Sequence, residues 1–413
     1  MNQYIGAGEA AERLGVTKAT LYAYTSRGLL RSEPVPDRPR ERRYYREDVQ
    51  RLKDRKETRR NPAREAERGL HWGSPVLESA ITLIEGGKLY YRGQDAMELA
   101  EHASLEQVAR LLWSVESNGR EQLFDEASPL EARQVESLRR WAPKSALALL
   151  EMALPVAGTA DLKAYDLRPP AVRQTGARIL RMFATLIAGR SSIVPIHEAL
   201  EVAWSSKGSA IADAIRTALV LCADHELNIS AFVARCAASA AASPYDVVSA
   251  AMSTLKGHRH GGATERVSAL FREIASGGDA QRVLAGRLRR GEGLPGFGHP
   301  LYPSGDPRAT LLLKLAEASA KKKERRLMLQ IAEAGSELLD DLPNLDFGLV
   351  ALSRACGFPA DAPLLLFALG RTAGWIGHAI EQYASSGLIR PRARYVGPAP
   401  RGPHQVNTAS AGS

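Results

Sequence analysis

Apolar residues recur along most of this chain at intervals of three and four, the period of a helix with one face buried. Ile211, Ile215, Ala218, Leu219 and Cys222 form one row. Val248, Ala251, Met252 and Leu255 form a second, and Val267, Leu270, Phe271 and Ile274 a third. Alternating patterns are scarce after residue 95. One hairpin is expected in "AITLI", "EGGK", "LYYRG", where Gly86-Gly87 suits a tight turn between β-rich flanks. "AFVARCAASAAAS" is rich in small residues and predicts a tightly packed internal helix. No apolar run reaches the ~20 residues that cross a bilayer. The most apolar late stretch, "APLLLFALGRTAGWIGHAI", is interrupted by Arg371. The pattern predicts a mainly α protein.

Residues 1–60 read as a separate small helical module. Ala10, Ala11, Leu14 and Val16 make an apolar face, and Gly15 breaks it at a turn. Thr17 can cap a second helix, "TKATLYAYTSRGLL", which Gly28 ends. Helix, glycine-containing turn and helix are the parts of a helix-turn-helix. "RSEPVPDRPRERRYY" reads as a Pro- and Arg-rich loop, and helical spacing resumes through Val49 and Leu52. Residues 61–70 read as a polar linker, and 396–413 as a disordered Pro/Gly/Ser-rich tail.

Charge sharpens this division. Residues 1–68 hold 17 Lys+Arg and 11 Asp+Glu, a net +6 of the chain's +9. A compact basic segment on a near-neutral body suggests contact with nucleic-acid phosphates. A merely solvated basic face is the bland alternative. Composition is otherwise that of an ordinary globular protein, with 45% hydrophobic and 24% charged residues. Cys222, Cys236 and Cys356 are far apart, with no zinc or redox spacing, and are expected as buried core residues. The start lacks the order of a signal peptide. The expectation is a cytoplasmic protein with no metal and no membrane partner.

Four elements carry possible chemistry. "DHELNISAF" holds Asp224, His225, Asn228 and Ser230; "GHRHGGAT" holds His258 and His260. "GFGHPLYPSGDPR" holds His299, Asp306 and Arg308; "LPNLDFG" holds Asp346. Arg371 and Arg390 follow. Each alone has an ordinary explanation. A histidine near a helix end is often a bonded core residue, Asp346 could cap a helix, and the arginines could pair at the surface. No pair of histidines has metal-ligand spacing on one helix.

Two resemblances order these signals. "EAAERLGVTKATLYAYTSRGLL" and "RRYYREDVQRL" resemble the MerR type of DNA-binding domain. That resemblance implies a small winged helix-turn-helix. The helix around Lys18, Thr20, Tyr22 and Tyr24 would enter the major groove, and Arg40, Arg42 and Arg43 would lie on a wing at the backbone. From about Gly69 to Tyr395, "GKLYYRGQDAMELAEHASLEQVARLLW", the four elements in order and "RPRARY" resemble citrate synthase. The resemblance implies a large helical domain (71–261 and 355–395), a small one (262–354) and a homodimer. It implies acetyl-CoA and oxaloacetate as substrates, with no separate cofactor.

The resemblance also implies roles. Asp346 would take a proton from the methyl group of acetyl-CoA, and His260 would donate a hydrogen bond to the thioester oxygen. His299 would polarise and protonate the keto oxygen of oxaloacetate. His225 would help bind the keto acid, and Arg308, Arg371 and a partner subunit's copy of Arg390 would hold its carboxylates. A neutral imidazole suits His260, because the helix expected after Gly261-Gly262 disfavours imidazolium. The chain departs from the family's usual residues at His258, Arg259, Thr264 and Pro303, which leaves propionyl-CoA, giving 2-methylcitrate, as a competing donor. A transcription regulator using the old site as a metabolite sensor is the rival of a different class.

Overall fold

The computed structural model describes residues 4–26, 29–35, 38–46, 48–49, 52, 77–115, 122–126, 128–142, 145–204, 209–385, 387–393 and 395–398. Gly28, the expected linker at 61–70 and residues 399–413 of the expected tail lie outside them. The chain divides into two compact units, Met1–Glu78 with Pro391–Ser413, and Ser79–Arg390.

The first unit runs β1 (Tyr4–Gly6), α1 (Ala7–Leu14), α2 (Lys18–Ser26), β2 (Ser32–Val35) and β3 (Arg38–Tyr45). Gly15 ends α1 in the left-handed region at φ 59°, where a side chain would be strained. The Thr17 hydroxyl accepts from the Thr20 N–H at 3.2 Å, as a cap for α2 should. Ala10, Ala11, Leu14 and Leu21 close over Ile5, Leu30, Tyr44 and Val49, with Val16 partly buried at the margin. The Pro- and Arg-rich stretch is not a loop. It forms β2 and β3, paired antiparallel, in a sheet of order β1-β3-β2. Because β2 is an edge strand it tolerates Pro34, and the register shifts there.

The second unit begins with the expected hairpin, β4 (Thr82–Glu85) and β5 (Lys88–Tyr91), then β6 (Gln94–Asp95). Gly86 and Gly87 turn it at φ 59° and 77°. Helices follow: α3 (Ala96–His102), α4 (Leu105–Leu112), α5 (Ala132–Trp141), α6 (Ala146–Ala160), α7 (Pro169–Ala188) and α8 (Ile196–Trp204). Next come α9 (Ser209–Cys222), α10 (Ile229–Ser239), α11 (Pro244–Leu255), α12 (Ala263–Ala275) and α13 (Ala280–Arg289). The last are α14 (Pro307–Ser319), α15 (Lys322–Leu339), α16 (Leu345–Cys356) and α17 (Ala362–Tyr383). Among the described residues no helix is long and apolar enough to cross a membrane.

α17 is almost wholly buried and packs on α9 and α10. A Cβ on Gly370 would lie 2.5 Å from the Leu219 carbonyl oxygen, and one on Gly374 2.4 Å from that of Ala223. These glycines let α17 lie directly against the end of α9, where the first chemical motif begins. Two expectations need correction. α10 is half-buried rather than internal: Ala231, Ala234 and Ala238 face the core, but Ile229 is 60% exposed. Cys236, on the same helix, is half-buried, whereas Cys222 and Cys356 are buried.

Candidate active site

The hairpin fastens the turn that carries His225. The Thr82 hydroxyl donates to Asp224 Oδ2 at 2.6 Å, the Ile84 N–H to Glu226 Oε1 at 3.2 Å, and the Tyr91 hydroxyl to the Val220 carbonyl at 3.0 Å. On the other side of Asp224, His378 Nε2 of α17 lies 3.3 Å from Oδ1, both side chains fully buried. Asn228 caps α10 by accepting from the Ser230 and Ala231 N–H groups, each at 3.2 Å. His225 Nε2 is 3.0 Å from the Tyr302 hydroxyl.

His260 sits in the turn from α11 to α12. The Gly262 N–H donates to the Leu255 carbonyl at 3.1 Å, folding the turn back on α11. A Cβ on Gly262 would lie 2.3 Å from the Lys256 carbonyl oxygen, and one on Gly261 2.7 Å from Leu255 Cδ1. Close approach is therefore what requires this glycine pair. His260 Nε2 lies 2.8 Å from Ser230 Oγ. Burial, then the Arg371 charge, lowers its pKa to about 3, so the ring is neutral. His258 is exposed in the same turn.

The loop that carries His299 is laced to the loop that precedes Asp346. The Gly298 N–H donates to the Leu342 carbonyl at 2.8 Å, the Asn344 N–H to the Gly296 carbonyl at 2.9 Å, and Asn344 Nδ2 to the Gly298 carbonyl at 3.1 Å. Gly296 and Gly298 have φ of 94° and 70°, which favour glycine. The Leu301 N–H donates to His299 Nδ1 at 3.2 Å, which leaves the neutral ring's proton on Nε2. Burial, then the Arg308 charge, lowers the pKa of His299 to about 4. Its ring stands edge-on to His225, with centroids 5.0 Å apart.

Asn344, not Asp346, caps α16: its Oδ1 accepts from the Asp346 N–H at 3.1 Å. Asp346 Oδ1 is buried with no hydrogen-bond partner among the described residues. Burial raises the Asp346 pKa to about 7; Arg308 and Arg371 pull it down and Asp306 pushes it up. Arg308 is held by Asp306 through Nε and a terminal nitrogen, at 2.9 and 2.8 Å. Arg371 Nε donates to the Cys222 carbonyl at 2.8 Å, while its NH1 is buried without a partner among the described residues. An unpaired buried polar group costs about 1–3 kcal/mol, so two groups near enough for the Arg371 charge to bear on Asp346 call for a functional explanation. Burial first, then the charges of Arg308 and Arg371, drives the pKa of His225 well below normal. Arg390 is exposed in the segment after α17.

This is a carboxyl poised to exchange a proton, two neutral imidazoles and two guanidiniums. Residues 69–392 match the family model "Citrate synthase, C-terminal domain".

The chain belongs to the citrate synthase family.

It is 30% identical over 362 residues to "Citrate synthase 2" of Bacillus subtilis, covering 81% of this chain and 96% of that one. It is also 30% identical over 344 residues to "2-methylcitrate synthase 1" of Corynebacterium glutamicum, covering 76% and 90%. Among solved structures, citrate synthase of Thermoplasma acidophilum, in ternary complex with carboxymethyl coenzyme A and oxaloacetate, superposes with a TM-score of 0.68 at 26% identity, covering 81% of this chain and 97% of that one. The protein is thus a condensing enzyme of the citrate synthase type. Residues 7–60 match the model "MerR HTH family regulatory protein".

Within the citrate synthase body, Ser230 had no role expected from the sequence, and Tyr302, Trp375 and His378 were not among the expected site residues. The last two were legible as a pattern. Arg371, Trp375 and His378 stand at i, i+4 and i+7, one face of a single helix.

In the N-terminal unit, Lys18 and Tyr22 are exposed on α2, and Tyr22 is 50% accessible. The Thr20 hydroxyl pairs with that of Thr17 at 3.0 Å, and Tyr24 packs on the core. On β3, Arg42 donates to the Ser32 hydroxyl and carbonyl at 2.7 and 3.0 Å. Arg43 pairs with Glu33 at 3.2 Å and stacks over the Tyr4 ring. Arg40 lies on the same strand. Lys18 and Tyr22 are therefore the most available of the expected DNA positions whose side chains are described.

Proposed function

We propose that this protein condenses an acyl-CoA with oxaloacetate, with acetyl-CoA as the donor and citrate and CoA as products. The observation that carries this reading is Asp346: a carboxyl with an oxygen buried without a partner among the described residues, raised to a pKa of about 7. Asp346 is the base that takes the methyl proton. A thioester α-proton is too weakly acidic for a carboxylate to remove unless the forming oxyanion is stabilised as it appears. His260 supplies that donor. The enol carbon then attacks the keto carbon, while His299 donates from Nε2 to the keto oxygen and passes it the proton; water then cleaves the thioester of the resulting citryl-CoA to give citrate and CoA. Arg371 binds a substrate carboxylate through NH1, and Arg308 binds one through the edge that Asp306 leaves uncovered. A homodimer with Arg390 entering the partner's site completes the clamp. The domains 71–261 with 355–395, and 262–354, close over the substrates to exclude water.

A thiol-release assay with oxaloacetate and either acetyl-CoA or propionyl-CoA tests the donor. A higher kcat/KM for propionyl-CoA would replace citrate by 2-methylcitrate; no release with either would remove the enzyme reading in favour of a metabolite sensor. The pH profile gives a second check. Asp346 must be ionised to act, so kcat/KM is expected to rise with pH to a plateau, with its midpoint near 7. His260 and His299, at about 3 and 4, are already neutral across that range.

The N-terminal unit is proposed to bind DNA, with α2 in the major groove; the net +6 of residues 1–68 supports this. Two units on a dimer predict a two-fold site. Affinity is expected to fall steeply with salt, and Lys18→Ala to reduce the slope of log K against log[salt] by about 1. Equal affinity for scrambled and natural DNA in a footprinting titration would remove sequence-specific recognition.

A further inference from the structure

We infer that Ser239 and Gln382 are positioning residues for Arg390: they fix the course of residues 387–389, and so the place from which Arg390 reaches a keto-acid carboxylate in the partner's site. The inference rests on the role of Arg390 given above, and its first test does not require turnover. α17 ends at Tyr383, and Arg390 follows it after six residues, 384–389. Two hydrogen bonds among the described residues tie this connection to the helices. Gln382 Nε2 donates to the Gly387 carbonyl at 3.1 Å, and the Ile389 N–H donates to Ser239 Oγ at 3.1 Å. The second holds the residue immediately before Arg390.

The chemistry of each group fixes the sense of these bonds. A guanidinium can only donate and a carbonyl oxygen can only accept. Arg235 Nε donates to Gln382 Oε1 at 3.0 Å, which turns the amide nitrogen of Gln382 toward the Gly387 carbonyl. Arg235 and Gln382 are both buried. Glu381, the neighbour of Gln382, accepts from Arg235 NH1 at 2.9 Å and from the Ala80 N–H at 2.9 Å. The Gln382 pin is therefore anchored in α10, α17 and the chain that leads into the hairpin. Ser239 uses both sides of its hydroxyl. It gives its proton to the Cys236 carbonyl at 2.8 Å and accepts from Ile389 with a lone pair.

The exposure of residues 387, 388 and 390 shows what the pins are for. A polar group near water gains little stability from an internal partner, because water can replace it. What the pins supply is order. A long side chain on a loose segment loses backbone and rotamer freedom when it closes on a ligand, and that loss weakens binding. Fixing the two residues that lead to Arg390 removes part of it beforehand. α10 connects the two ends of this arrangement: its first turn carries Ser230, 2.8 Å from His260, and its last residue is Ser239. One helix thus borders the subunit's own site and sets the arm meant for the other.

The test is oxaloacetate binding to the full-length protein, read by titration calorimetry. Arg390→Ala is expected to weaken binding by about 10- to 100-fold, the worth of a charge-assisted hydrogen bond, and Ser239→Ala by about 3- to 10-fold. Ser239→Thr keeps the hydroxyl and should bind as the wild type does. Adding Ser239→Ala to Arg390→Ala should cost nothing further, whereas additive losses would mean that Ser239 acts by another route and overturn the inference. Weaker binding in Arg390→Ala with wild-type affinity in Ser239→Ala would overturn the inference alone. Unchanged affinity in Arg390→Ala would remove the clamp role and the inference with it. Alanine is a better helix former than serine, so Ser239→Ala is expected to fold. If it does not, Gln382→Glu decides the matter: it keeps the bond from Arg235, turns a second acceptor toward the Gly387 carbonyl, and should weaken binding to a similar extent. Mixed dimers give an independent arm. Ser239→Ala in a subunit that also carries Asp346→Asn should raise the oxaloacetate KM of a wild-type partner. Ser239→Ala in a subunit with Asp346 intact, beside an Asp346→Asn partner, should leave that KM unchanged. The reverse pattern would place the effect of Ser239 in its own subunit and overturn the inference.

Discussion

Asp346→Asn is expected to lose about 10²–10⁴-fold in kcat, the usual worth of a positioned general base, while melting at a higher temperature than the wild type above pH 7. Both effects have one cause. The fold holds the carboxyl where its charge is poorly solvated, so its pKa rises from 3.8 to about 7. A carboxyl whose folded pKa exceeds its unfolded value stabilises the fold only while it is protonated. That contribution is complete below the unfolded value, is lost as pH rises toward 7, and stays lost above it. Asparagine keeps the shape and carries no charge, so it escapes the penalty. The gain in Tm should therefore be absent near pH 4, grow between pH 4 and 7 and be full beyond. Thermal melts at a series of pH values, run beside the thiol-release assay, check both. A lower Tm at pH 8 would mean that the Asp346 carboxylate is well paired in the fold. A substantial kcat would move the base elsewhere.

His260→Ala is expected to cost about 10²–10³ in kcat, the typical loss of one well-placed oxyanion donor. The imidazole contributes only as negative charge builds on the thioester oxygen, so removing it should leave oxaloacetate affinity little changed. The same step can be watched without condensation. Deuterium loss from the methyl group of labelled acetyl-CoA, measured with a non-condensing analogue of oxaloacetate, should slow in parallel with thiol release. Wild-type exchange in His260→Ala would place the ring at a later step. The neutral state of His260 makes it a selective donor. Held near a pKa of 3, it adds no positive charge beside the arginines before the reaction begins.

Much of the fold could be read from periodicity. The rows at Ile211–Cys222, Val248–Leu255 and Val267–Ile274 are helices where expected, and the Gly86-Gly87 hairpin pairs in the expected place. These are local matters: a period of 3.6, a cap and a glycine at positive φ need no distant partner. The reading failed where the partner strand decides. "RSEPVPDRPRERRYY" looked irregular by composition, but antiparallel pairing makes strands of it, with β2 at the edge of the sheet and β3 at its centre. α10 looked internal by its small residues, yet only one of its faces meets α11 and α17.

For the site, the sequence alone determined the chemical types and their order: His225, His260, His299, Asp346 and the arginines, each beside glycine, proline or a capping residue that bends the chain. Tertiary structure decided which atoms are available. It closed Arg308 onto Asp306, left Arg371 NH1 and Asp346 Oδ1 buried without partners, and set Ser230 between Trp375 and His260. Spacing along a chain cannot reveal these facts. Desolvation and hydrogen-bond exclusivity depend on how the folded chain packs around each group, and they determine whether a histidine or a carboxylate is a reagent or a filler.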